Sequence, residues 1–195
     1  MSITLITGPS RSGKSEWAEQ LAAQSAERND RQIVYIATAQ TNSEDLEWQA
    51  RIEKHRVRRP KSWEIEEVPV ALVDAVLLRR DSAGRGSNYC LLIDSLGTWL
   101  ANLIEYDDDS WELQQQALIK ALMQTEGDVI LVAEETGWGV VPAYELGRRF
   151  RDRLGSLSRA IGQISTDVYL VTSGYAINLK QIGIPIVDKN SEADS

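Results

Sequence analysis

The octapeptide Gly8-Pro9-Ser10-Arg11-Ser12-Gly13-Lys14-Ser15 constrains this chain more than any other feature. Its spacing, glycine, four residues, glycine, lysine, serine, is that of a loop that wraps a phosphate chain. Such a loop must curl until successive backbone N–H groups converge on one phosphate. Glycine is needed where a side chain would collide or φ must be positive. The lysine then reaches the β- and γ-phosphates, and the serine hydroxyl is suited to Mg²⁺. The flanks are what such a loop demands: residues 3–7 predict a short buried strand and residues 13–26 a helix with an apolar stripe of Trp17, Ala18, Leu21 and Ala22. That helix turns the positive end of its dipole toward the bound anion.

The rest of the chain repeats the alternation. Apolar runs predict strands within 31–39 and at 63–68, 91–94, 129–133 and 168–172, with a last edge strand at 177–179. Helical patterns occupy 43–56, 70–80, 98–104, 111–125 and 143–164, and Asp107-Asp108-Asp109 reads as a solvated connection between two of them. Short apolar strands alternating with helices predict an α/β fold with a mostly parallel sheet covered on both faces. With 195 residues, 43% of them hydrophobic, the chain suits one domain. We place it at 1–185 and expect 186–195 to be a disordered polar tail.

Composition narrows the partners. A formal net charge of -8 argues against sequence-independent nucleic-acid binding. One segment runs against it: Lys54-His55-Arg56-Val57-Arg58-Arg59-Pro60-Lys61 holds five cations in eight residues, which suits a small anionic ligand. A single cysteine, Cys90, sits in an apolar run and reads as a small buried hydrophobe. No internal disulfide is possible, and no secretion signal or membrane-length apolar run appears, so a cytoplasmic protein is expected.

Two residues outside the loop carry candidate chemistry. Asp94 closes the apolar run Leu91-Leu92-Ile93, the place where an acid at the end of a neighbouring strand holds Mg²⁺ or its waters. Its competing role is N-cap of the helix that follows. His55 is the only histidine. Lys54, Arg56, Arg58 and Arg59 around it disfavour the imidazolium, and a neutral imidazole is a competent nucleophile toward phosphorus. The alternative is a solvated basic helix end.

With these residues in place, the sequence resembles the bifunctional adenosylcobinamide kinase / adenosylcobinamide-phosphate guanylyltransferase family of cobalamin biosynthesis, over about residues 3–180. The markers are the 8–15 loop, Tyr35-Ile36-Ala37-Thr38-Ala39, Arg51-Ile52-x-x-His55-Arg56 with Arg59-Pro60, Trp63-x-x-x-Glu67, Glu135-Thr136-Gly137-Trp138-Gly139-Val140-Val141-Pro142, Arg149-Phe150-Arg151-Asp152 and Val171-Thr172-Ser173-Gly174. The resemblance implies a RecA-like P-loop fold, a homotrimer, and two reactions. A nucleoside triphosphate, ATP or GTP, phosphorylates adenosylcobinamide; GTP then gives GMP to that phosphate through a guanylylated histidine, releasing pyrophosphate. It implies catalysis by His55 and Lys14 and Mg²⁺ on Ser15 and Asp94. It also implies nucleotide contacts from residues 8–15, Ala37, Thr38, Ala39, Arg56, Val57, Arg58, Arg59, Glu67 and Asp94. Glu67 suits guanine, whose N1–H and 2-amino group form a donor pair for one carboxylate; otherwise it is a solvent-facing strand residue.

Two positions depart from the pattern. The family often has Glu where Asp94 stands, and usually Asn where Glu134 stands; an amide can donate a hydrogen bond and a carboxylate cannot. Two rivals remain: another P-loop small-molecule kinase with a structural His55, and a nucleotide-gated switch without turnover. The acceptor site is not readable by motif, although Trp48, Trp99, Trp111 and Trp138 offer flat apolar surfaces, with core packing as the competing role for each.

Overall fold

The computed structural model describes residues 1–40, 59–80 and 88–186. His55, Arg56, Val57, Arg58 and Trp48, together with the helix expected at 43–56, lie outside the described residues, as do residues 187–195 of the expected tail. In chain order the elements are β1 (Ile3–Gly8), α1 (Lys14–Asn29), β2 (Gln32–Ala37), β3 (Glu64–Glu67), α2 (Leu72–Arg80), β4 (Tyr89–Asp94), α3 (Leu96–Asn102), α4 (Asp108–Gln124), β5 (Asp128–Glu134), α5 (Glu145–Ile164), β6 (Asp167–Thr172), β7 (Tyr175–Asn178) and α6 (Leu179–Ile182).

The strands form one seven-stranded sheet in the order β3-β2-β4-β5-β1-β6-β7. Every pairing is parallel except the hairpin of β6 with β7. The hairpin turn places Ser173 and Gly174 at φ 51° and 78°, the left-handed region that glycine enters freely.

Side chains of a strand alternate between the two faces. On β4, Leu91 and Ile93 join Leu72, Leu96, Trp99, Leu100, Leu118, Leu122, Leu154 and Leu157 in one core, under α2 to α5. Cys90 and Leu92 point the other way, into a second core with Ala18 and Ala22 of α1, Tyr35, Ile130 and Val132. Both faces of the central strands are thus sealed, which is why they read as unbroken apolar runs. Cys90 is buried, as expected, and burial pushes its thiol up to about 12.

Three local expectations need correction. Asp107 to Asp109 are exposed, as expected, but they do not form a connection. Asp107 is the N-cap of α4, its side chain accepting from Ser110 N at 2.7 Å, and Asp108 and Asp109 lie in the first turn, where carboxylates meet unpaired N–H groups. Ser95, not Asp94, caps α3 through a bond from Thr98 N. The edge strand begins at Tyr175 and ends at Asn178.

Candidate functional site

Parallel strands deliver their carboxyl ends to one edge of the sheet, and α1 begins where β1 ends. Between them the loop curls as its glycines require. Gly13 stands at φ 96° as the N-cap of α1, and Arg11 is also left-handed at φ 59°. A Cβ on Gly8 would lie 2.2 Å from the backbone carbonyl oxygen of Val171 on β6, so the loop can leave the sheet here only through glycine. Lys14 is buried, and its Nζ donates to the carbonyl of Pro9 at 3.3 Å, within its own loop. The Ser12 hydroxyl is buried without a hydrogen-bond partner among the described residues. A buried cation folded onto its own loop and an orphaned hydroxyl beside it fit an anion that would engage both.

Register fixes what else reaches this edge. Gly8 of β1 is opposite Glu134 of β5, Val132 is opposite Asp94 of β4, Asp94 is opposite Ala37 of β2, and Ala37 is opposite Glu67 of β3. At about 4.8 Å per strand, Asp94 is displaced sideways from β1 by roughly 10 Å and Glu67 by roughly 19 Å. Strand alternation continues from Cys90 and Leu92 to Asp94, so its carboxylate belongs to the face that α1 covers. Ser15, in the first turn of α1, belongs to that face as well. A hydroxyl and one carboxylate are hard oxygen donors of the kind Mg²⁺ takes together with substrate phosphates. Among the described residues no group of three or more His, Cys, Asp or Glu side chains could cage a metal alone.

Asp94 is held in place. Tyr35, two residues before Ala37 on β2, donates its hydroxyl to Asp94 Oδ2 at 2.8 Å. Burial first, then the charge of Asp94, push the Tyr35 phenol far above its ordinary value, so it remains a donor. The Arg59 guanidinium lies 3.4 Å over the Tyr35 ring, with Glu19 of α1 3.9 Å from its Nε. Arg59 therefore packs on the ring whose hydroxyl holds Asp94. Thr38 is fully buried and exchanges two bonds with Ser95, the residue after Asp94: its hydroxyl donates to Ser95 O at 2.7 Å and accepts from Ser95 N at 2.9 Å. Asn102 ties the same corner to β3's end, donating to Thr38 O and Pro69 O. Ala37 and Ala39 flank this corner, both partly buried. Glu67 is exposed beside an open groove of about 620 Å³ lined by Val68, Pro69, Val70, Ala71 and Leu78.

Sequence reasoning missed Tyr35, Ser95 and Asn102 as supports of this corner. It also read Glu134 only as a departure. Glu134 turns toward α3, accepting from Ser95 Oγ at 2.6 Å and from Gly97 N at 3.0 Å. Of the tryptophans, Trp99 and Trp111 are buried against each other, their ring centroids 5.6 Å apart, whereas Trp138 is 63% exposed.

A family model described as "Cobinamide kinase / cobinamide phosphate guanyltransferase" matches residues 4–179. The "Bifunctional adenosylcobalamin biosynthesis protein CobP" of Pseudomonas aeruginosa is 44% identical over 177 residues, covering 90% of this chain and 96% of the relative. The "Bifunctional adenosylcobalamin biosynthesis protein CobU" of Escherichia coli K12 is 33% identical over 190 residues, covering 90% of this chain and 98% of the relative. A solved ATPase domain, 13% identical, superposes with a TM-score of 0.50 over 87% of this chain and 68% of its own. The RecA-like P-loop class expected from the sequence holds.

Proposed function

The chain belongs to the cobinamide kinase / cobinamide phosphate guanyltransferase family, and on that premise we propose how its residues divide the two reactions. It is a bifunctional enzyme of adenosylcobalamin biosynthesis that uses nucleoside triphosphates. The phosphate loop at the end of β1 carries this reading, since a buried Lys14 and an orphaned Ser12 hydroxyl await an anion.

In the kinase step the loop amides and Lys14 hold the phosphates while the cobinamide hydroxyl attacks the γ-phosphorus and the nucleoside diphosphate leaves. Ser15 and Asp94 would hold Mg²⁺, which screens phosphate charge when bound. In the transfer step an imidazole nitrogen of His55 attacks the α-phosphorus of GTP. The nitrogen–phosphorus bond forms, the bridging α–β oxygen bond breaks, and pyrophosphate departs on the loop. A phosphate oxygen of cobinamide phosphate then displaces the imidazole. Arg56, Arg58 and Arg59 supply positive charge near His55, while Ala37, Ala39 and Glu67 contact the nucleotide, Glu67 accepting from guanine, and Thr38, fully buried, shapes the turn beneath it. Lateral spacing supports Glu67: roughly 19 Å between it and β1 is a span an extended nucleoside triphosphate approaches.

The active assembly is a homotrimer in this reading. Exposed apolar residues on β7 and beyond support contact with a second copy, with Ile177, Ile182 and Ile184 at 39%, 72% and 92% exposure. GTP labelled at the α-phosphate tests the covalent step. Acid-labile label retained by the wild type and lost in His55→Ala supports it, and absence of bound GMP under turnover removes the transferase mechanism.

A further inference from the structure

The departure at Glu134 has a structural counterpart at Gly97. A Cβ built on Gly97 would lie 2.1 Å from Glu134 Oε2 and 2.9 Å from Cδ, so the carboxylate fills the space a side chain would take. Glu134 Oε2 accepts from Gly97 N at 3.0 Å and Oε1 accepts from Ser95 Oγ at 2.6 Å. Ser95 is then committed at every polar atom. Its N and O are exchanged with Thr38, and its Oγ also meets Thr98 Oγ1 at 3.0 Å and accepts from Thr98 N. Glu134 is itself fixed, opposite Gly8 in register, with Glu135 N donating to Gly8 O at 2.8 Å. One carboxylate thus ties the end of β5, which pairs through its backbone with the phosphate-loop strand, to the turn that begins at Asp94.

We propose that Glu134 and Gly97 form a matched pair that positions Asp94: Glu134 is a positioning residue acting through Ser95 and Gly97, and contacts neither metal nor phosphate. The proposal rests on the reading of Asp94 as the Mg²⁺-side carboxylate. An asparagine in place of Glu134 is one methylene shorter, and it would leave the gap over Gly97 unfilled. The departure at 134 therefore has its explanation at 97.

Nucleotide affinity, measured by titration calorimetry with and without Mg²⁺, separates the possibilities. Glu134→Ala should keep the metal-free affinity within about twofold, because the loop is untouched, and lose at least about tenfold of the Mg²⁺-dependent gain, the size of a single hydrogen bond to a charged group. Glu134→Gln preserves shape and one acceptor oxygen, and its amide can donate to Ser95 Oγ. It should therefore retain the gain within about threefold. Gly97→Ala should resemble Glu134→Ala, and the double variant Gly97→Ala/Glu134→Ala should be no worse than either, since the clash disappears with the carboxylate. Loss in Glu134→Gln equal to that in Glu134→Ala would mean the charge acts on the metal directly, and would overturn the clamp. So would additive losses in the double variant. Asp94→Asn is the reference: if it keeps the Mg²⁺ gain, the reading of Asp94 fails, while non-additive melting temperatures of the 97/134 pair would still uphold the clamp as structure.

Discussion

Gly8 and Lys14 sit six residues apart in one loop, yet their replacement should do opposite things to stability. Gly8→Ala forces a methyl group against the Val171 carbonyl, which belongs to the backbone of β6 and cannot rotate away. We expect a lower melting temperature and a loss of at least about tenfold in GTP affinity, since strand or loop must shift. Lys14→Ala removes a buried cation whose described bond is a long one to Pro9 O. Its melting temperature should hold or rise, because an almost uncompensated buried charge is relieved, while phosphate affinity falls by a similar or larger factor. Thermal melts paired with nucleotide titration check both. A fall in stability for Lys14→Ala would show that the lysine is structural. Tyr35→Phe is the third case. It keeps the ring under Arg59 but removes the hydroxyl bonded to Asp94, so the fold should persist and the Mg²⁺ requirement should rise severalfold in an activity titration.

At the level of elements, what could be read from the sequence was what is local. The phosphate loop, the strand before it and the helix after it are specified by neighbours, and Cys90 in its apolar run was recognisable as core. Tyr35 could not be tied to Asp94, because β2 lies beside β4 only after the chain has gone out to β3 and returned. The Thr38 exchange with Ser95 and the Glu134 clamp come from the same non-local strand order. Element starts were missed for a different reason. Asp107-Asp108-Asp109 looks like solvent-facing charge, and only backbone geometry distinguishes a connection from a cap with an acidic first turn. This gives a test at its own scale. The backbone N–H of Ser110, bonded to the Asp107 carboxylate, holds that group below the ordinary carboxylate range. Asp107→Ala should fray the first turn of α4 and lower the melting temperature, and Asp107→Ser should restore it, since a hydroxyl can accept the same bond. Equal melting temperatures for all three proteins would return the segment to a solvated connection.

Over the whole molecule, the sheet separates chemistry from anchoring. Glu134 closes β5 at the edge that carries the phosphate loop; Asp128 opens the same strand at the opposite edge, roughly 20 Å away at 3.3 Å per residue. There Asp128 gathers the chain: Ser2 Oγ donates at 2.8 Å, Ser25 Oγ of α1 at 2.6 Å, and Arg31 forms an ion pair. Burial pushes its carboxyl up, but the bonds from Ser25, Arg31 and Ser2 outweigh burial and leave it below the ordinary 3.8. The sign follows. A carboxylate with a depressed folded pKa contributes stability in full above its unfolded value, and that contribution is lost as pH falls through the folded value. Asp128→Asn should therefore lower stability by roughly 1.5–3 kcal/mol near neutral pH, the range for a hydrogen bond to a charged group. The gap from wild type should stay constant down to about pH 5 and narrow below about pH 4, where the wild-type carboxyl takes up its proton. Melting curves of both proteins across that range, with nucleotide affinity measured at pH 7, make the comparison. A constant gap down to acid pH would show that the contacts around Asp128 do not depend on its charge, and weakened nucleotide binding would show that the two edges of the sheet are coupled.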